Sequence, residues 1–117
     1  METINKKINE LNEMVLSGRP LEAFEKFYHP QVIMQENENE PTIGKEENRT
    51  REVQFFSDVT EFRGAKVLGV TVGEGLSTVI WEYDYTHKEW GVRKYRQASV
   101  QQWKDGLIIN EQFFYGN

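Results

Sequence analysis

Cysteine is absent from the 117 residues. Disulfides, thiolate nucleophiles and cysteine-based metal sites are therefore excluded. Histidine occurs only twice, as His29 and His87, with no His-x-His or His-Glu-x-x-His spacing, so no metal-ligand motif exists and no metal is expected. Proline is scarce, and Pro20, Pro30 and Pro41 all fall where an element starts or stops. No apolar run approaches the length that crosses a membrane. The segment from Met1 to Val15 scatters charges among single apolar residues and lacks the continuous apolar block of a secretion signal. A cytoplasmic location without membrane contact is the expectation. Basic residues are outnumbered, 14 against 19 acidic ones, and the net charge of -5 repels a phosphate backbone on average. The richest basic stretch, Arg93-Lys94-Tyr95-Arg96, lies in an alternating pattern that sends successive side chains to opposite faces. Nucleic acid is thus not an expected partner. Glycine-rich phosphate loops and nucleophile elbows are missing too, because Gly73-Glu74-Gly75 leads into a strand pattern rather than a helix.

What remains is one domain, residues 1–117, with 38% hydrophobic and 28% charged residues, ordinary values for a globular chain. Aromatic residues make up 13%, enough to build a core, to wall a ligand cavity, or both. Ile4, Ile8, Leu11 and Val15 recur on one helical face, and Ser17-Gly18 breaks that helix. Pro20 opens a second helix with Leu21, Phe24, Phe27 and Tyr28 on its apolar side, and His29-Pro30 ends it. His29 is placed to favour the negative end of that helix. A short strand is predicted over Val32 to Glu36, followed by the polar loop Asn37 to Pro41 and a few extended residues at Thr42-Ile43-Gly44. A third helix runs from about Lys45 to Thr60, with Val53, Phe56 and Val59 inward and Phe55 beside them.

The second half alternates β-branched and aromatic residues with polar ones. Strands are predicted at Ala65–Glu74, Ser77–Thr86, Val92–Trp103 and Leu107–Tyr115. The turns between them are short, one built on Asp105-Gly106, so the four strands pair antiparallel in sequence order. His87 falls in the turn with Lys88 and Glu89 and is expected to be exposed. The fold class is α+β: three N-terminal helices packed on a strongly curved antiparallel sheet, giving a cone with a solid narrow end and an open mouth.

Three stretches carry a resemblance. Phe27-Tyr28-His29-Pro30-Gln31-Val32 is a helix-to-strand passage, Thr42-Ile43-Gly44-Lys45-Glu46 leads into the third helix, and Gln102-Trp103-Lys104-Asp105-Gly106-Leu107-Ile108 is a final hairpin. In this order they resemble the SnoaL-like branch of the NTF2-like superfamily, which includes ketosteroid isomerases, polyketide cyclases and dehydratases. The resemblance implies the cone fold, a homodimer through the convex face of the sheet near Ala98 and Val100, and no cofactor. It does not settle the chemistry.

Two carboxylates are candidate general bases. Glu36 occupies the position at the end of the first strand where, by the resemblance, an isomerase carries its base; partial desolvation would raise its pKa. Its other reading is a solvated residue opening an acidic loop. The isomerase's two strong oxyanion donors have no counterparts, since Leu11 and Ser99 stand at those places, which argues against steroid isomerisation. Glu111 shares one strand face with Ile109, Phe113 and Tyr115, and by the resemblance a last-strand acid serves many cyclases. Its other reading is an ion pair with Arg93 or Arg96. Trp81, Tyr83 and Tyr85 form an aromatic face, while Glu82 and Asp84 point the other way toward Lys94 and Arg96. Tyr95, Gln97, Ser99, Gln101 and Trp103 share a face that offers neutral hydrogen-bonding groups. The expected ligand is small and mostly apolar, held by Trp81, Tyr83, Tyr85, Tyr95, Gln97, Ser99, Gln101, Phe113 and Tyr115. Either it is transformed by an isomerase, cyclase or dehydratase, or it is simply bound, and a purely dimeric structural role is a third possibility.

Overall fold

A computed structural model describes residues 3–116. Three helices, α1 (Ile4–Leu16), α2 (Pro20–Phe27) and α3 (Lys45–Asp58), pack against six strands: β1 (Tyr28–Glu36), β2 (Thr42–Ile43), β3 (Val59–Gly73), β4 (Leu76–His87), β5 (Gly91–Lys104) and β6 (Leu107–Tyr115). None of these helices is long and apolar enough to cross a membrane.

Local chemistry sets the helix ends. The Thr3 hydroxyl accepts the Lys6 N–H at 3.2 Å and caps α1, and Ser17 donates to the Met14 carbonyl at 3.1 Å. Pro20 stands in the first turn of α2, where its missing N–H has no partner to lose. The far end of α2 is held by Lys45, whose Nζ donates to the carbonyls of Glu25 (2.9 Å) and Tyr28 (2.8 Å). His29 takes no part in that closure; its Nδ1 accepts the Gln31 N–H at 3.0 Å. α3 is anchored by a polar residue. Buried Asn48 donates from one amide nitrogen toward the carbonyls of Val32 (3.3 Å), Thr42 (3.0 Å) and Gly44 (2.8 Å), tying helix, strand and loop together.

The sheet order is β2-β1-β6-β5-β4-β3. The last four strands pair antiparallel in sequence order, as their short turns require. β1 joins β6 in parallel, so the sheet is mixed and open. Three register shifts in β3, the last between Val67 and Gly69, bend it around the helices. β3 also begins at Val59, earlier than the alternation suggested, because Glu61, Phe62 and Arg63 are exposed and show no two-sided pattern. The β5–β6 turn places Asp105 and Gly106 at positive φ (54° and 81°), the paired left-handed geometry that Asp-Gly favours. Lys7 of α1 donates to the Gly106 carbonyl at 2.9 Å and fixes this turn to the first helix.

The core lies between α1, α2 and the narrow end of the cone. Ile8, Val32, Val79 and Ile108 are fully buried, with Phe24, Phe27 and Trp81 around them. Each such side chain contributes on the order of 2 kcal/mol of burial free energy. Strict alternation puts Ile108 on the outer face with Asn110. A bulge in β6 at Ile109, which is skipped as Asn110 pairs with Gln102 and Ile108 with Trp103, turns Ile108 into the core instead, while Glu111 keeps its inward position opposite Gln101.

Candidate functional site

The concave face of the sheet and α3 enclose a cleft of about 1270 Å3, open at one end. It adjoins a smaller recess of about 110 Å3 toward the narrow end, and Glu52, Phe56, Tyr83 and Phe113 border both. Alternation along β4, β5 and β6 sends one side chain in two into this hollow. Trp81, Ser99, Gln101 and Glu111 line the inner recess. Glu36, Tyr85, Tyr95, Gln97 and Tyr115 line the outer cleft.

Glu111 is 3% exposed and both of its oxygens have donors. Oε1 accepts from the Tyr28 hydroxyl, and Oε2 accepts from Gln101 Nε2 at 2.7 Å. Behind Gln101 the chain continues: its Oε1 accepts from the Ser77 hydroxyl at 2.7 Å, and Ser77 Oγ accepts from Trp103 Nε1 at 2.9 Å. Every member therefore has a fixed donor direction, and all point toward the carboxylate. Burial pushes the Glu111 pKa up to about 7, and the two hydrogen bonds limit the rise. Tyr28 is held well above the usual phenol value by its burial and then by the Glu111 charge, so it stays a protonated donor.

A second carboxylate faces the same space from the opposite wall. Glu52 of α3 is raised to about 7, first by burial and then by the charges of Glu111 and Glu36, against a smaller opposing pull from Arg51. Two acids with pKa values near neutrality across one hollow can divide the roles of proton acceptor and proton donor. The Tyr83 hydroxyl makes no hydrogen bond among the described residues. Its pKa is raised by burial and then by Glu111, so it too remains an O–H donor. Glu36, nearer the mouth, accepts from the Tyr115 hydroxyl at 2.9 Å and pairs with Arg51 Nη2 at 3.3 Å. Tyr115 is pushed up to about 12 by burial and by this bond.

Several expectations change. Glu111 does not pair with Arg93 or Arg96: Arg96 reaches Glu82 at 3.2 Å, and Arg93 lies over the Tyr95 ring. Asp84 is met by Arg63 at 2.8 Å rather than by its cross-strand neighbour Lys94. His87 is not exposed. It is 3% exposed, stacked on Trp90 at 3.8 Å between ring centres, and its Nδ1 accepts the Glu89 N–H at 3.1 Å. On α3, Val53 is turned outward at 48% exposure, while Phe55 meets Tyr85 edge to face at 5.5 Å. Glu52 was missed because α3 shows no apolar stripe. The available signal was the spacing Asn48, Glu52, Phe55, Val59, which repeats at helical intervals. Gln101 and Ser99 are in the hollow but already engaged, Gln101 as above and Ser99 by the Gln97 amide at 3.1 Å. Among the described residues, no group of three histidine, aspartate or glutamate side chains is disposed to hold a metal ion.

The fold recurs in solved structures. A Mesorhizobium loti protein provisionally named a SnoaL-like polyketide cyclase is similar over 97% of this chain and 100% of its own, with TM-score 0.89 and 23% identity. A cystatin-like-fold protein of unknown function from Xanthomonas campestris is similar over 100% of this chain and 92% of its own (TM-score 0.84, 13% identity). A Catenulispora acidiphila protein with a ketosteroid isomerase-like fold, solved in complex with trimethylamine, is similar over 93% and 85% (TM-score 0.75, 11% identity). At these identities the likeness concerns the fold. No curated protein matches the sequence. The description of the SnoaL-like domain matches residues 3–115, nearly the whole described chain, and the protein belongs to the SnoaL-like family.

Proposed function

We propose that the hollow binds a small, mostly apolar molecule and that Glu111 removes a proton next to a carbonyl in a cofactor-independent isomerase, cyclase or dehydratase reaction. The observation that carries this reading is a buried carboxylate, oriented by Tyr28 and Gln101, whose pKa of about 7 suits proton transfer at neutral pH. In the proposed step the C–H bond breaks, its proton goes to Glu111, and the electron pair moves onto the carbonyl oxygen. The Tyr83 hydroxyl and the protonated form of Glu52 are the donors available to that oxygen. Trp81, Tyr83 and Phe113 offer flat walls to a ring-shaped substrate, and Tyr85, Tyr95, Gln97 and Tyr115 line its approach. Ser99 and Gln101 act through the hydrogen bonds they already make. Glu36, engaged by Tyr115 and Arg51, shapes the field at the mouth. A fold neighbour that carries a small molecule, trimethylamine, supports a ligand-holding role.

The test is hydrogen–deuterium exchange at the α-carbons of planar cyclic ketones such as 2-tetralone, followed by proton NMR in D2O. Exchange above the buffer rate is expected. Ketones that bind without exchanging would instead support a second reading, a non-catalytic binder. That reading is favoured by one observation: both Glu111 oxygens are already occupied by protein donors.

The convex face supports a homodimer. Ile80, Ala98 and Phe114 are neighbours in one row across β4, β5 and β6, and Phe114 is 43% exposed. The Glu82–Arg96 pair borders them, giving an apolar strip with a charged edge. Light scattering after size-exclusion chromatography is expected to give twice the chain mass, and Phe114→Lys is expected to give the monomer at micromolar concentration. A wild-type monomer would remove the proposal.

A further inference from the structure

Five of the six arginines face a carboxylate: Arg19 reaches Glu22, Arg49 reaches Glu25, Arg51 reaches Glu36, Arg63 reaches Asp84 and Arg96 reaches Glu82. Arg93 differs. It lines the outer cleft, pairs with no acid among the described residues, and its Nε is buried without a hydrogen-bond partner. Its guanidinium lies over the Tyr95 ring, 4.9 Å from the centroid. A buried guanidinium N–H without a partner is costly to keep, and stacking on one ring offsets only part of that cost. No carboxylate supplies the rest: none of the ion pairs among the described residues includes Arg93, and Glu36, which shares Tyr115 as a neighbour, is taken by Arg51 and Tyr115.

We propose that Arg93 seats the anionic group of the ligand, so that the molecule taken into the hollow is a planar, mostly apolar acid whose carboxylate or sulfonate lies at the outer end. This rests on the reading of the hollow as a ligand site. Stacking uses the flat face of the guanidinium and leaves its two terminal nitrogens without a protein partner among the described residues, and their N–H groups match two oxygens of an acid group. Charge sets the direction of binding. Glu111, ionised as the base, lines only the inner recess and repels an anion, while Arg93 lines only the outer cleft and attracts it, so the neutral, reacting end goes in first. The aromatic walls alone would also suit a cation, but a cation there would meet Arg93 already stacked on Tyr95.

A matched pair of dyes tests this. 8-Anilinonaphthalene-1-sulfonate has a planar aromatic body and one anionic group, and N-phenyl-1-naphthylamine has the same body without the charge. Fluorescence titration of the wild-type protein is expected to favour the sulfonate. Arg93→Gln should weaken the sulfonate about tenfold and leave the neutral dye within about twofold, with Arg93→Lys in between. Amide shifts in NMR spectra should place the sulfonate beside Tyr95 and Tyr115, and melting curves should show both variants folded. Equal losses for both dyes, an unchanged sulfonate affinity, or shifts confined to the convex face would overturn the assignment of Arg93 while leaving the hollow as a site. Failure of the wild-type protein to bind either dye would overturn both.

Discussion

Glu111→Gln is expected to slow α-proton exchange by about 100- to 10,000-fold, the usual contribution of a positioned base. The substitution keeps the shape of the side chain and removes its ability to accept a proton. Most of the surrounding network can adapt. The new amide oxygen accepts from Gln101 Nε2, and its NH2 group turns to the Tyr28 oxygen, leaving only the Tyr28 hydroxyl proton without its former acceptor. Binding of the neutral dye should therefore change little, and the loss should fall on the rate rather than on affinity. Glu52→Gln distinguishes the two acids: a smaller loss assigns it the donor role, whereas a loss as large as that of Glu111→Gln would make Glu52 the base. If Glu111→Gln retains the wild-type rate, Glu111 has no part in the chemistry.

The second large effect is on stability, and its direction is unusual. Unfolded, a glutamate releases its proton near 4.5; in the folded protein Glu111 holds its proton up to about 7. Between these values the folded state binds more protons than the unfolded state, so raising the pH favours unfolding. Stability should be fully present below pH 4.5 as far as this group is concerned, and should decline as the pH rises toward 7. The decline attributable to Glu111 is on the order of 3 kcal/mol. Glu52, also raised to about 7, acts in the same direction. Asp58 and Glu25 oppose this only at lower pH: their pKa values are lowered, chiefly by hydrogen bonds from Gln54 and Arg49, and their contribution is lost on acidification below about 4. Urea titrations at pH 5 and pH 8 should give a clearly lower midpoint at pH 8. Glu111→Gln should remove its own share of that difference, leave the share due to the burial of Glu52, and be more stable than wild type at pH 8. A midpoint that rises with pH would show that the Glu111 carboxylate is ionised in the fold without cost.

These effects turn on features of unequal legibility. β4 and β5 were plain because aromatic and β-branched residues alternate with polar ones from Ser77 to Trp103, and period two then decides which side chains share a face. Asp105-Gly106 announced its turn because few dipeptides accept two left-handed residues. Other features depended on contacts between distant segments. Ile108 is inward because of a bulge at Ile109, which strict alternation along β6 does not encode. His87 sits among charged neighbours and reads as exposed, yet Trp90 folds back onto its ring and Phe55 of α3 packs nearby. Glu52 looks like an ordinary solvated helix residue until α3 is laid across the hollow. Arg93 read as one member of a basic stretch, and its lack of a partner became visible only when every other arginine had found one. Helices and strands follow local rules, whereas partners follow the tertiary arrangement, and the candidate site consists mostly of partners.

The parallel pairing of β1 with β6 bears on how the protein is made. β6, the last strand of this sheet in sequence order, is an interior strand, with β1 on one side and β5 on the other. A nascent chain that has not reached Leu107 has two separate pieces of sheet, each with an open edge, and no Glu111 to meet Tyr28. Joining them closes the loop from Tyr28 to Ile108, a long-range contact that is slow to form. Tyr28 and Glu111 thus come together in the same step that joins the two pieces of sheet.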